Sequence, residues 1–318
     1  MNFEIDDQQR DFAASIDAAL GAADVPAAVR AWCAGDTGPG RKVWATLSDL
    51  GVTALAVAEK FDGIGAHPVD LVVAAERLGY WGVPGPVAES IAVAPILLAD
   101  DERSAGLAAG ELIATVAQPP LVPRAVDADT AGLILVAGDG VVSDGTAGAL
   151  HESVDPARRL FDVTASGESQ KADTATAFEF GVLATAAQLI GAGQAMLDAS
   201  VAYAKQRSQF GRVIGSYQAI KHKLADVYIA VELARPLVYG AALSLADGSA
   251  DTPRDASAAK AAAAEAALLS ARSSLQTHGA IGFTQEHDLS LLLLRVQALR
   301  SAWGDPTWHR RRVLEGIA

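Results

Sequence analysis

The sequence predicts a mainly α-helical protein with a small β domain set into its middle. Three observations carry that expectation. Of the 318 residues, 51% are hydrophobic, alanine foremost, while only 6% are aromatic, a balance that suits packed helices more than a β-sandwich. Apolar residues recur at helical spacing up to about residue 105 and again after about residue 177. Between them the texture changes to short β-like runs with turn signals. A chain this long can bury a large core, in one big domain or two to three smaller ones.

Each element follows in order. Phe12, Ile16 and Leu20 share one helical face, and Trp44, Leu47 and Leu50 another, with Gly51 as the stop. AVAEKFDGIGAHPVD is a glycine-rich loop closed by Pro68. VDLVVAAERLGYWG is the next helix, followed by Pro84 and Pro86. ELIATVAQPP and TAGLILVAGDGVVSDG form the β block, with turns expected at Gly138-Asp139-Gly140 and at Asp144-Gly145. A long helix rich in small residues then runs to KQR. The next starts at an N-cap on Ser216 and reaches about Gly248. Ile220, Leu224, Val227, Val231 and Ala234 make one of its faces, and Pro236 is expected to kink or break it. GSADTPRD is a polar loop. DASAAKAAAAEAALLSARSSLQ has strong helix propensity and ends at His278-Gly279. EHDLSLLLLRVQALRSAW is a further helix, stopped by Gly304-Asp305-Pro306, and a short helix finishes the chain. The expected boundaries are residues 1–108, 109–176 and 177–318.

Charge and composition exclude several function classes. The net charge of −13 and a sequence pI near 4.8 weigh against general nucleic-acid binding. The single Cys33 rules out an internal disulfide and a cysteine-based zinc site. The acidic start MNFEIDDQQR lacks the pattern of a secretory signal, and no segment reads as the ~20 apolar residues of a membrane span. The expectation is a cytoplasmic protein with no membrane partner.

Against that acidic background one window stands out. Between Asp198 and Asp226 there is no acid, while Lys205, Arg207, Arg212, Lys221 and Lys223 all fall there. The window contains a turn at Phe210-Gly211 and Gly215-Ser216. Local field matters more than net charge for holding a phosphate-bearing ligand, and the arginine fork makes paired bonds to phosphate oxygens. An ordinary solvated turn with Phe210 plugging the core is the other reading of these residues.

Three segments together resemble the acyl-CoA dehydrogenase family. LSDLGVTALAVAEKFDGIGAHPVDLVVAAERLGY is similar to its N-terminal segment, with Ala58-Glu59 and Asp62-Gly63-Ile64-Gly65 at the family's glycine loop. RSQFGRVIGSYQAIKHKLAD matches R-x-x-FG-x-x-I followed by a glutamine-led helix. QTHGAIGFTQEHDL matches Q-x-x-GG-x-G-[FY]-T, with Ala280 replacing the second glycine. The resemblance implies a helical N-terminal domain, a β middle domain and a C-terminal four-helix bundle. It implies FAD bound across a subunit interface and an acyl-CoA substrate. Carried over, Arg207 pairs with the pyrophosphate, Phe210 and Gln218 contact the ADP portion, and Gln276 with the Gly279–Gly282 turn approaches the pyrophosphate or ribose of a flavin held by a neighbouring subunit.

The sequence also departs from the family. The Thr-Glu-Pro…Gly-Ser-Asp loop and the G-x-K-x-x-[IV]-T strand that cradle the flavin ring are missing between Ala105 and Ala177. The catalytic glutamate is missing too. Its usual segment reads Ser301-Ala302-Trp303-Gly304-Asp305-Pro306, and its alternative position falls at Gly181. Glu179 and Asp305 each lie two residues away. The resemblance then implies the non-catalytic subunit of an α2β2 heterotetramer, with a catalytic acyl-CoA dehydrogenase subunit as partner, electron-transfer flavoprotein as acceptor and steroid-derived thioesters as substrates. The rival readings are an active enzyme with a displaced base and a helical scaffold that binds no flavin.

Overall fold

The N-terminal part is helical, and three of its first four helices start at a side-chain cap. This structure is a computed structural model that describes residues 5–317; Met1 to Glu4, where the acidic amino-terminal stretch begins, and Ala318 lie outside them. Asp6 caps α1 (Asp7–Ala22) in a reciprocal box with Gln9. Asp24 caps α2 (Val25–Cys33), which leads into α3 (Gly38–Asp49). His67 caps α4 (Pro68–Trp81), whose first residue is the proline expected at a helix start. Ile16, Leu20, Trp44 and Leu47 are buried together, as the periodicity predicts. A π-helical stretch at Ala88–Val93 runs into α5 (Ala94–Leu97), and α6 (Arg103–Ala108) follows.

The β block is one five-stranded sheet. Its strands are β1 (Ala114–Ala117), β2 (Arg124–Val126), β3 (Leu133–Gly138), β4 (Val141–His151) and β5 (Leu160–Lys171), in the order β1-β3-β4-β5-β2. Only the β1–β3 pair is parallel. Asp139 and Gly140 both have positive φ and join β3 to β4, as that turn signal predicts. The second signal misleads. Asp144 and Gly145 lie inside β4, paired with β3 and β5, next to a shift in pairing at Val142/Asp144. A bulge uses the same residue chemistry as a turn.

The C-terminal part is a bundle of α7 (Thr174–Gln206), α8 (Gln218–Ala246), α9 (Thr252–His278) and α10 (Leu289–Ser301), closed by α11 (Pro306–Glu315). Three expectations need correction. The α8 N-cap is Tyr217; Ser216 instead donates its hydroxyl to the Val213 carbonyl at 2.7 Å. The last residues of GSADTPRD already belong to α9, with Pro253 in its first turn. Pro236 does not break α8, because Leu224, Val227, Val231 and Ala234 before it and Val238, Ala241 and Ala242 after it bury into one core. That packing outweighs one lost helix bond. The reading of span-length apolar segments is corrected too. By length and composition α7 and α8 could each cross a membrane; the apolar window of α7 is 89% buried inside the bundle and that of α8 only 33%.

Candidate functional site

Two regions of the bundle matter, and α7 carries both. At its C-terminal end Arg207 is exposed and makes no side-chain hydrogen bond or ion pair among the described residues. The chain then forms a hairpin, β6 (Ser208–Gln209) with β7 (Arg212–Val213). Phe210 and Gly211 form its two-residue loop, both at positive φ, a conformation glycine adopts freely and phenylalanine does not. Phe210 is 92% exposed, so the reading of it as a core plug is wrong: the loop turns its ring outward. The hairpin is tied back by Ile214 N–H to the Arg207 carbonyl at 2.7 Å and by the Tyr217 hydroxyl to the Gln209 carbonyl at 3.2 Å. Arg212 lies 4.0 Å from the centre of the Tyr217 ring.

Two contacts bring the other motif to this end. Tyr203 on α7 stacks on His278 at the end of α9, ring centres 4.4 Å apart, and the Lys223 ammonium on α8 donates to the Gln276 side-chain oxygen. Burial pushes the His278 imidazole pKa down, which favours the neutral ring in that stack. Gln218, Gln276 and Gly279 are exposed around this end. Gly279 has φ +67. Gly282 is buried, against the His278 and Leu289 side chains. Ile281 and Phe283 stay exposed beside it. The structure thus gathers Arg207, Phe210, Gln218, Gln276 and Gly279 at one end of the bundle and turns Gly282 inward.

The second region lies near the start of α7. The Trp303 ring packs directly on Gly181: a Cβ placed on that glycine would fall 2.5 Å from the indole. Trp303 is 1% exposed, and its backbone sits at φ +56, a costly conformation for a bulky residue. Two buried groups brace it. The Lys260 ammonium donates to the carbonyls of Arg300 (3.0 Å) and Gly304 (3.3 Å). His309 Nε2 lies 2.9 Å from the Trp303 carbonyl, which can only accept, so Nε2 carries the proton and Nδ1 accepts from the Ser257 hydroxyl at 3.0 Å. Burial pushes Lys260 down to about 7 and His309 down to about 3.

The carboxylates around this region are committed to structural roles. Both Glu179 oxygens are held by the Arg312 guanidinium, which lies over the Phe178 and Trp308 rings. Asp305 caps α11, accepting from the backbone of Thr307 (2.7 Å) and Trp308 (3.1 Å), and those bonds hold its carboxyl below the usual range. Sequence reasoning missed Glu89. It is 1% exposed and its Oε1 accepts from Trp303 Nε1 at 3.1 Å. A lone acid in the apolar run PVAESIAVAPILL was the available signal. Trp303 and Gly181, the two positions at which the resemblance would place a base, thus pack against each other.

The comparisons with known proteins follow from this architecture. The model for the acyl-CoA dehydrogenase N-terminal domain matches residues 6–102, and that for the C-terminal domain residues 172–318. The protein named acyl-CoA dehydrogenase IpdE2 from Mycobacterium tuberculosis is 33% identical over 296 residues, covering 91% of this chain and 90% of that protein. Acyl-CoA dehydrogenase FadE34 of the same organism is 32% identical over 296 residues, covering 85% of this chain but 41% of that longer protein. Among solved structures, a chain of the ChsE4-ChsE5 complex from Mycobacterium tuberculosis superposes with a TM-score of 0.86 at 21% identity, covering 100% of this chain and 99% of that one. The butyryl-CoA dehydrogenase of Megasphaera elsdenii superposes at 0.84 and 18% identity, each chain covered in full.

Proposed function

The chain belongs to the acyl-CoA dehydrogenase family, and from that premise we propose that it is the non-catalytic subunit of a heteromeric, FAD-dependent acyl-CoA dehydrogenase. It completes the flavin site of a catalytic partner, in an α2β2 assembly that passes electrons to an electron-transfer flavoprotein. One observation carries the reading: Trp303 packs on Gly181, so the two positions at which the family keeps its base touch each other and neither bears a proton acceptor. A base must come within hydrogen-bond reach of the substrate proton. Bound FAD supplies the hydride acceptor for oxidation of the Cα–Cβ bond of a thioester.

The residues at the other end suit the outer part of a dinucleotide. Arg207 offers an uncommitted fork for a phosphate, Phe210 an exposed face, and Gln218 and Gln276 amide groups. These are contacts that one subunit lends to another. Gly181 lies in α7 and Arg207 caps its C-terminal end 26 positions on, roughly 40 Å away at 1.5 Å per residue. One flavin in one chain does not reach both. Ile229, Leu233 and Leu237 recur every fourth residue along α8 and are exposed, Leu233 by 70%, an apolar stripe that supports burial against a partner subunit. FadE34, in which a region like this chain is under half of one polypeptide, fits the idea of two dehydrogenase halves working together. The chain shares its fold with the steroid acyl-CoA dehydrogenase Tcur3481-Tcur3483 at 20% identity, which favours a steroid-derived thioester here.

The test is purification of the chain alone and together with a co-expressed catalytic subunit. Flavin absorbance only in the co-purified complex is the expected result. A monodisperse, yellow, active preparation of the lone chain would refute the reading.

A further inference from the structure

Below Trp303 lies a cavity of about 260 Å³ at the junction of the β sheet and α10. Leu121, Val122, Pro123, Val126 and Leu160 give it apolar walls, and Glu89 and Arg158 line it as well. Both charged side chains are buried, Arg158 to 3% exposure. Each is only partly satisfied. Glu89 Oε2 has no hydrogen-bond partner, and the Arg158 guanidinium makes no side-chain hydrogen bond among the described residues. Their one mutual contact, Nη2 to Oε1 at 3.8 Å, exceeds hydrogen-bond range. Buried polar groups of native proteins are nearly always paired, so an unsatisfied acceptor and an unsatisfied donor facing one cavity call for a partner. The Arg158 loop is not free to swing and make that bond itself. Asp155, in the same loop, is clamped by Arg295 at 2.5 Å, and Arg159 is held by the Asp127 and Asp129 carboxylates and the Trp32 carbonyl.

We propose that this cavity binds a small neutral molecule with a ring-sized apolar body and one group that both donates and accepts hydrogen bonds, a hydroxyl or a primary amide. The donor goes to Glu89 Oε2 and the acceptor to Arg158. Neutrality follows from the charge balance of the buried pair: Glu89 opposes Arg158 inside, so a charged ligand would leave one buried charge uncompensated. The apolar walls take the ring. Trp303, on which the subunit reading rests, is part of the cavity wall, but the binding test reads neither flavin nor turnover, so its failure and the failure of that reading are distinguishable.

The test is titration calorimetry and ligand-observed NMR on the full-length chain with three probes of one shape: cyclohexanecarboxamide, cyclohexanecarboxylate and cyclohexylamine. The amide is expected to bind saturably at one site, at least tenfold tighter than either charged probe. Glu89→Gln keeps an acceptor for Trp303 but turns the free oxygen into a donor, and should weaken the amide at least tenfold. Ala298→Phe, on the cavity wall and away from the pair, should abolish binding with the fold intact by circular dichroism, and decides the matter if Glu89→Gln does not fold. No saturable amide binding, preference for a charged probe, binding that survives Ala298→Phe, or a folded Glu89→Gln protein that binds normally would each overturn the proposal.

Discussion

The two ends of α7 make an instructive contrast. At the Arg207 end the side chains are exposed and gathered from three helices, Arg207 makes no side-chain bond among the described residues, and a Cβ added at Gly211 or Gly279 would meet no other atom within 4 Å. At the Gly181 end the reverse holds. The space is closed by an indole, the nearby carboxylates Glu179 and Asp305 hold a guanidinium and cap a helix, and two buried bases brace the turn. The first end is a surface waiting for something outside the chain; the second is interior. On the subunit reading proposed above, a family site is kept where it serves a neighbour and converted into core where it would serve the chain itself.

Breaking the filled end should produce the largest effect. Trp303→Ala removes a fully buried ring and the donor to Glu89, so it should cost about 3–5 kcal/mol, the usual range for deleting a buried aromatic. Urea unfolding of the purified protein measures it. A loss under 1 kcal/mol would mean the indole is not holding this region together. At the open end the effect should fall on the cofactor and spare the fold. Arg207→Ala should weaken FAD retention in the assembled complex by about 1.5–3 kcal/mol, one hydrogen bond to a charged group, while leaving the unfolding midpoint of the chain unchanged. Unaltered flavin affinity would show that Arg207 points elsewhere.

The braces at the filled end give a pH signature of their own. Lys260 titrates near 7 in the folded chain and near 10.5 when unfolded. Between those values the unfolded state holds a proton that the folded state does not, so this group's contribution to stability rises with pH across about 7 to 10.5 and is flat below. The wild type should therefore gain stability from pH 7 to pH 9 relative to Lys260→Met. Parallel pH profiles for the two proteins would contradict the burial argument. The smallest effect is expected at the displaced carboxylates. Glu179→Gln and Asp305→Asn in the assembled complex should leave the turnover rate within a few-fold, whereas loss of a general base typically costs ~10²-fold or more. A drop of that size, with complex and flavin intact, would make this chain catalytic.

The open end was legible in the sequence and the filled end only half so. RSQFG and QTHGAIG are local signals: turn residues and charges adjacent in the chain, needing no knowledge of what packs where. The absence of a glutamate at Trp303 and Gly181 was equally plain. That those two residues touch was not, because they are joined only through the tertiary fold. The same reason hid Lys260, which reads as one more polar residue on an alanine-rich helix and is in fact buried, donating to the carbonyls of Arg300 and Gly304. Glu89 and Arg158 meet from segments 69 positions apart, with no pattern in either to announce the other. The break allowed for at Pro236 and the turn expected at Asp144-Gly145 failed in the opposite direction, where correct local chemistry was overruled by packing and by strand pairing.

The central claim is that this chain lends flavin contacts and holds no flavin ring of its own. Its most direct test is the flavin content of the purified complex, measured by absorbance after denaturation against the number of each chain determined by mass. One FAD for every pair of chains, with none retained by this chain when the partner is removed, is the predicted result. One FAD for every chain, or flavin that stays with this chain alone, would contradict it.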